Sequence, residues 1–259
     1  GSWPAEGSVS EEVLALYKRA GYSYVVTDQD ILARTLFDTD YDRFIENRYM
    51  LYQPYVINGM TVFFRDRDLA NLISFDYMKW DDPYAAAEDL LGHIRKRAED
   101  ACQYIHRPVI VIAMDGENAW EYYRDNGREF LSAVYDGIEQ DPALETSILS
   151  NVVSSAVELD KRLWPGSWIG ADFHVWAGSG NKNRNLTLLA LIKEKIDELV
   201  DETARGKALG LLRVIEGSDW NWWHTFADPR SSFDRIFLSY VQELSRLLGT
   251  DFLTDLNNR

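Results

Sequence analysis

The sequence predicts an α/β fold in which a parallel-stranded part precedes a bundle of helices, and three observations carry that prediction. Over the first two thirds, short apolar, β-branched runs alternate with stretches of helical periodicity, the pattern of βαβ units around a parallel sheet. After Glu117 strand signals almost vanish and helical stretches follow one another. The 259 residues are 46% hydrophobic, enough to bury a large core or two smaller ones.

Taken in order, Trp3 sits just past the end of a first strand. Ser8 or Ser10 caps a helix through Ala20, with Glu11 and Glu12 in its first turn, where the helix dipole favours acids. Residues 22–27 (Tyr-Ser-Tyr-Val-Val-Thr), 61–65 (Thr-Val-Phe-Phe-Arg) and 108–114 (Pro-Val-Ile-Val-Ile-Ala-Met) read as strands whose ends carry Asp or Arg, where an α/β barrel keeps its chemistry. A helix over 83–105 lies between the last two, with Leu90, Leu91, Ile94, Ala98, Ala101 and Ile105 as its apolar stripe. Further helices are expected over 119–140, 143–161, 183–203, 206–215 and 232–248, with loops at Trp164-Pro165-Gly166-Ser167-Trp168 and Gly178-Ser179-Gly180. The expected division is residues 1–140 for the stranded part and 141–259 for the helical part. So few strands do not close a barrel, so the stranded part reads as a partial barrel belonging to something larger. Self-association or a preceding segment would complete its sheet.

A net charge of −15 argues against nucleic acid, whose phosphates need clustered Lys and Arg. An uncharged ligand suits this surface better. No apolar run approaches the length of a membrane span and no leader precedes Trp3, so the expectation is no membrane and a cytoplasmic location. The one cysteine, Cys102, excludes an internal disulfide and reads as inert packing on the apolar side of its helix. His93, His106, His174 and His224 make no zinc-binding spacing, and no Walker loop, dinucleotide fingerprint or nucleophile elbow occurs, so no metal and no cofactor is expected.

What remains is a carboxylate at each of two strand ends: Glu6 in Trp3-Pro4-Ala5-Glu6-Gly7-Ser8, and Asp115 in Met114-Asp115-Gly116-Glu117-Asn118. Two acids on rigid elements, in a chain with nine Trp and fourteen Tyr, point to glycoside chemistry, in which one carboxyl group protonates the leaving oxygen while the other attacks the sugar or activates water. Flat aromatic faces pack on the C–H faces of sugars. Each acid has a plainer alternative: Glu6 as a dipole-stabilised acid near a helix start, Asp115 as an N-cap before glycine. Glu117 is a further candidate. Glu216-Gly217-Ser218-Asp219-Trp220-Asn221-Trp222-Trp223 reads as a sugar platform or as core, and Asp172 and His174 as lining a cleft or satisfying a loop. Arg65-Asp66-Arg67-Asp68 reads as an ion-pair network that positions loops.

Together, Trp3-Pro4-Ala5-Glu6-Gly7-Ser8-Val9-Ser10, Thr27-Asp28, Phe64-Arg65-Asp66-Arg67, Met114-Asp115-Gly116-Glu117-Asn118, Gly166-Ser167-Trp168 and Glu216-Gly217-Ser218-Asp219-Trp220 resemble glycoside hydrolase family 57, closest to its α-amylase and amylopullulanase-like branch. The resemblance implies an incomplete (β/α)7 barrel followed by a helical domain, acting on α-glucans with retention, as a hydrolase or a glucanotransferase. It implies Glu6 as nucleophile and Asp115 as general acid and then base, with burial near a second carboxylate helping Asp115 hold its proton. Trp3, Asp28, Arg65, Trp120, Trp168 and Asp172 are the substrate-side candidates, and Asp219 and Trp220 are implied to close over the donor sugar from the helical part. The family's His-Gln-Pro motif is absent, Gln29-Asp30 stand where Glu-Gly usually follows Thr27-Asp28, and His224-Thr225-Phe226-Ala227-Asp228 replaces a Gly-Asp-Asp-His stretch. These departures motivate an alternative, a non-catalytic α-glucan-binding or structural fragment.

Overall fold

A computed structural model of the chain describes residues 1–226 and 232–257. The side chains of Glu117, Asn118 and Asn181, and those of residues 224–226 and 255–257, lie outside the description. The chain divides into two compact units, Gly1–Ala171 and Asp172–Arg259.

The first unit is built on a mixed sheet of β1 (Tyr24–Asp28), β2 (Tyr55–Ile57), β3 (Met60–Arg65) and β4 (Val157–Glu158), in the order β1-β3-β2-β4. β1 and β3 are parallel and in register from Tyr24 opposite Thr61 to Asp28 opposite Arg65. Ser2 makes a parallel bridge to Val25, so the chain enters the sheet just before Trp3. The sheet is not all-parallel as the sequence predicts, because β2 and β3 form an antiparallel hairpin. Its turn is Asn58-Gly59, with φ of 51° and 73°, the left-handed pair a two-residue hairpin requires.

Several predicted elements differ from the observed ones. Residues 108–114 form no strand ladder; they run beside the end of β3, tied by Val109 N–H to the Tyr52 carbonyl and by Asp66 N–H to the Val111 carbonyl, both at 2.8 Å. The helix expected over 143–161 is instead short α8 (Leu149–Val152), a 3-10 turn and β4, because Val157 N–H and Leu159 N–H donate to the Pro54 and Val56 carbonyls and so join β2. Residues 141–171 therefore lie in the first unit.

The helices of this unit start where polar caps satisfy their first N–H groups. α1 (Glu11–Arg19) is capped by Ser10, α2 (Gln29–Phe37) by Asp28, α3 (Tyr41–Glu46) by Asp40, α4 (Arg67–Asn71) by Asp66 and α5 (Pro83–Cys102) by Asp82, with Pro83 in its first turn. Cys102 ends α5 exposed, contrary to the packing expected of it. The helix predicted over 119–140 is two, α6 (Gly116–Trp120) and α7 (Arg128–Gln140), because Asp125, Asn126 and Gly127 all take positive φ between them. Both faces of β3 are covered: Val62 and Phe64 pack with Leu14, Ile31, Leu32 and Val25, while Phe63 packs with Val26 and Val111 on the other side. A third cluster joins α5 and α7 through Leu90, Ile94, Phe130 and Val134.

The second unit contains α9 (Gly180–Asp197), α10 (Glu202–Ile215), α11 (Asp219–Phe226), α12 (Ser232–Leu248) and α13 (Phe252–Asn257). Leu188, Ile192, Ile196, Leu212, Ile215, Val241 and Leu244 form its core, the stripe pattern of a helical bundle. Among the described residues no helix is long and apolar enough to cross a membrane.

Candidate active site

Between its bridge to β1 and the start of α1, the chain makes one tight 3-10 turn, Ala5–Gly7, with Glu6 at its centre. Glu6 has φ 55° and ψ 28°, a left-handed conformation that costs a non-glycine residue roughly 1–2 kcal/mol and persists only where the surroundings impose it. Several bonds impose it here. Trp168 N–H donates to the Glu6 carbonyl at 3.0 Å, Thr27 Oγ1–H to the Gly7 carbonyl at 2.6 Å, and Val9 and Gly166 exchange backbone bonds at 2.8 and 3.0 Å. Gly7 follows with φ 56°, and a Cβ there would lie 3.0 Å from the Trp3 ring and 3.2 Å from the Trp168 Cβ, so no other residue fits without displacement. The half-buried Glu6 carboxylate accepts a hydrogen bond at Oε2 from the Trp168 indole Nε1–H at 2.7 Å.

Beneath this turn the parallel strands end in an ion pair. Arg65 and Asp28, register partners at the ends of β3 and β1, meet with Nε–H donating to Asp28 Oδ2 at 2.6 Å. Asp28 Oδ1 accepts from Asp30 N–H at 3.0 Å and so also caps α2. Burial pushes the Asp28 carboxyl up from its ordinary range, with the Arg65 guanidinium opposing that displacement. The guanidinium lies 4.4 Å from the Trp168 ring centroid and 5.7 Å from that of Trp3, and the two indoles meet edge-to-face at 5.4 Å. Asp28 is 0% and Arg65 5% exposed, so both support the site from below, in place of the substrate contact expected of them.

Arg65 also reaches the second candidate acid: its Nη1–H donates to the Ala113 carbonyl at 2.9 Å, two residues before Asp115. Asp115 therefore belongs to a segment anchored at the same end of the parallel strands as Glu6. It occupies the N-cap position of α6 and is exposed, contrary to the burial expected of it. The segment has a second anchor in Asp66, whose N–H bonds Val111. The Asp66 side chain is 0% exposed and accepts from Arg48 at 3.0 Å, Arg97 at 2.7 Å, Tyr52 at 2.8 Å and Leu69 N–H at 3.0 Å. Burial alone would push this carboxyl up, yet the Arg48 and Arg97 charges outweigh it and hold it below its ordinary range. Arg67 pairs with Asp30, and Gln29 Oε1 accepts from Arg67 N–H at 3.0 Å. Arg65-Asp66-Arg67-Asp68 is thus an ion-pair network that fixes loops, one of the readings its sequence allows.

The remaining candidates belong to other elements. Trp120 is half-buried against Tyr123 and Phe130 in the cluster of α5 and α7, so its ring serves packing. Asp172, Asp219 and Trp220 belong to the second unit. Asp172 accepts from His174 N–H at 2.9 Å and pairs with the His174 ring, and both residues are exposed. Trp220 donates Nε1–H to the Val214 carbonyl at 2.9 Å and packs on Phe233 and Phe237, while Asp219 is exposed in the first turn of α11. Trp176 and Trp222 stack at 5.8 Å in the same unit. Among the described residues no three His, Cys, Asp or Glu side chains gather as a metal site.

Thr27 and Asp66 are supports that sequence reasoning left without a role at Glu6 or Asp115. The position of Asp66 as N-cap of a helix directly after a strand was the available signal for one of them. What the arrangement offers chemically is a rigidly held carboxylate with one oxygen engaged, indoles beside it, and a second, exposed carboxyl group on a segment tied to the same strand end. The family model described as Glycosyl hydrolase family 57 matches residues 1–163, which include Glu6, Asp28, Arg65 and Asp115. No curated protein matches the chain.

Proposed function

The chain belongs to glycosyl hydrolase family 57, and from that premise we propose that it is a retaining enzyme of α-glucans such as starch and maltooligosaccharides, hydrolysing them or transferring their glucosyl units. Glu6 attacks the anomeric carbon to form a covalent glycosyl intermediate, and Asp115 gives a proton to the departing oxygen and later takes one from the acceptor. Trp3 offers a half-buried indole beside the Glu6 turn. We read the sheet as part of a (β/α)7-type barrel with its chemistry at the carboxyl ends of the parallel strands.

The observation that carries this reading is the left-handed Glu6, held on both its backbone and its carboxylate by Trp168 at the end of β1. A strained, over-determined acid at a strand end is what a nucleophile needs, and a surface acid has no use for it. Glu6→Gln is expected to lower turnover of maltoheptaose roughly 10⁴-fold or more while calorimetry still detects binding. Undiminished turnover in that variant would sink the reading.

The exposure of Asp115 favours one second reading, an α-glucan-binding domain without turnover. Maltoheptaose binding to the unaltered chain with no release of shorter sugars would select it.

A further inference from the structure

We propose that Trp168 is the positioning residue of the Glu6 nucleophile and that Arg65, held by Asp28, sets the position of Trp168. This goes beyond the family chemistry but rests on the reading of Glu6 as nucleophile.

The physical chain is continuous. Trp168 is 162 residues from Glu6 in sequence, yet bonds it twice, through its backbone N–H to the Glu6 carbonyl and through its indole N–H to Oε2. The first bond holds the left-handed turn; the second fixes the carboxylate plane. Because Oε2 carries the indole N–H, Oε1 is the oxygen that attacks. In the first step the Oε1–C1 bond forms, the bond from C1 to the leaving oxygen breaks, and Asp115 supplies the proton that oxygen takes. In the second, the acceptor's oxygen attacks C1, its proton passes to Asp115, and the carboxylate departs with its charge again shared onto Oε2, where the indole N–H receives it. The donor thus serves the departing carboxylate as well as the attacking one.

An indole can be this specific only if its ring cannot turn. The Arg65 guanidinium 4.4 Å from the ring centroid and the Trp3 ring, in edge-to-face contact with centroids 5.4 Å apart, prevent that. Arg65 is in turn fixed by Asp28 at 2.6 Å and the Ala113 carbonyl at 2.9 Å. The Asp28–Arg65 pair, buried and short of substrate, thereby acts on catalysis through Trp168. The same guanidinium ties the segment leading to Asp115, so one side chain relates the two acids.

The test uses the full 259-residue chain and 5-fluoro-α-glucosyl fluoride, which traps a glycosyl-enzyme, with mass spectrometry to locate and time the label. In the unaltered chain Glu6 is labelled. In Trp168→Phe, which keeps a ring over Arg65 but removes the N–H, labelling stays on Glu6 and slows about 10- to 100-fold, the weight of a hydrogen bond to a charged group. On maltoheptaose kcat falls by a similar factor with KM changed less than about threefold, a split that loss of a sugar contact would reverse. Arg65→Lys, which keeps the charge without the planar fork, is expected to slow labelling less than Trp168→Phe, and Arg65→Met as much. A thermal melt within a few degrees of the unaltered chain certifies each variant's fold, and hydrogen exchange of the 5–8 segment replaces kinetics for any variant that melts early, with faster exchange expected. Labelling of Glu6 at an unchanged rate in Trp168→Phe overturns the inference while leaving the proposed function standing. Labelling elsewhere, or none, in the unaltered chain overturns both.

Discussion

Glu6 and Asp115 are presented by two regions built on opposite principles. The Glu6 turn is bound from several sides: Thr27 beneath, Gly166 beside it, and Trp168 through both backbone and ring. The Asp115 segment has no strand ladder, is tied by Arg65 to Ala113 and by Asp66 to Val111, and then runs into a five-residue helix with Asp115 exposed. On the proposed roles of the two acids, the contrast teaches a division of labour. A nucleophile must meet one carbon along one line, where an error of an ångström costs orders of magnitude. A proton donor works through a hydrogen bond to an oxygen that itself moves, so a looser hold is tolerated, and apo geometry tightens only when substrate arrives.

The largest effect expected from breaking this comparison is chemical. Asp115→Ala is expected to lower kcat on maltoheptaose about 10²- to 10⁴-fold, the contribution of a general acid, but to spare α-glucosyl fluoride, whose leaving group needs little protonation. Added azide, small enough to enter the vacated space and attack without base help, is expected to restore part of the turnover as a glucosyl azide. Glu6 variants lose both substrates together. Equal losses on both substrates in Asp115→Ala would end the division of labour.

Next comes the anchor under the Asp115 segment. Asp66→Asn removes a fully buried charge and leaves Arg48 and Arg97 facing an amide, which is expected to cost about 3 kcal/mol in urea unfolding. That figure is at the low end for a buried pair because Arg48 keeps Asp68 at 2.7 Å and both arginines reach solvent. The sign with pH follows from the direction of the shift. The folded state holds the Asp66 carboxyl low, so its stabilisation is complete above roughly pH 4, the unfolded value, and is lost as pH falls through the folded one. Asp28, displaced upward, contributes in the opposite sense, most at low pH and less as pH rises. The unaltered chain should therefore lose stability from about pH 4 downward more steeply than Asp66→Asn, and parallel curves would remove Asp66 as the cause.

These supports also mark where the sequence stops being readable. β1, β3, the Ser10 cap and the α5 stripe follow from local patterns, and Glu6 and Asp115 stand out because each sits beside a strand signal or a glycine. The Asn58-Gly59 turn was equally local, and with it the antiparallel hairpin that makes the sheet mixed. The run at 108–114 misleads because its six apolar residues after Pro108 satisfy both a strand and an extended segment packed on a strand end; only hydrogen-bond partners tell them apart. Residues 143–161 mislead because Val157 and Glu158 answer to β2, about a hundred residues earlier. Trp168 was legible as an aromatic loop residue and never as the partner of Glu6, since no periodicity encodes a contact across 162 residues.

The smallest expected effect tests which support of the Glu6 turn matters. Thr27→Val keeps the shape of a buried side chain and deletes only the 2.6 Å bond to the Gly7 carbonyl, leaving that oxygen without its partner. The expected cost is about 1–2 kcal/mol of stability, the weight of one buried neutral hydrogen bond with its acceptor stranded. If Trp168 holds the turn, kcat on maltoheptaose changes less than about threefold, because both Trp168 bonds survive. A fall in kcat as large as that of Trp168→Phe, at unchanged KM, would shift the positioning of Glu6 from the indole above it to the strand below, and with it the reason for the tight turn.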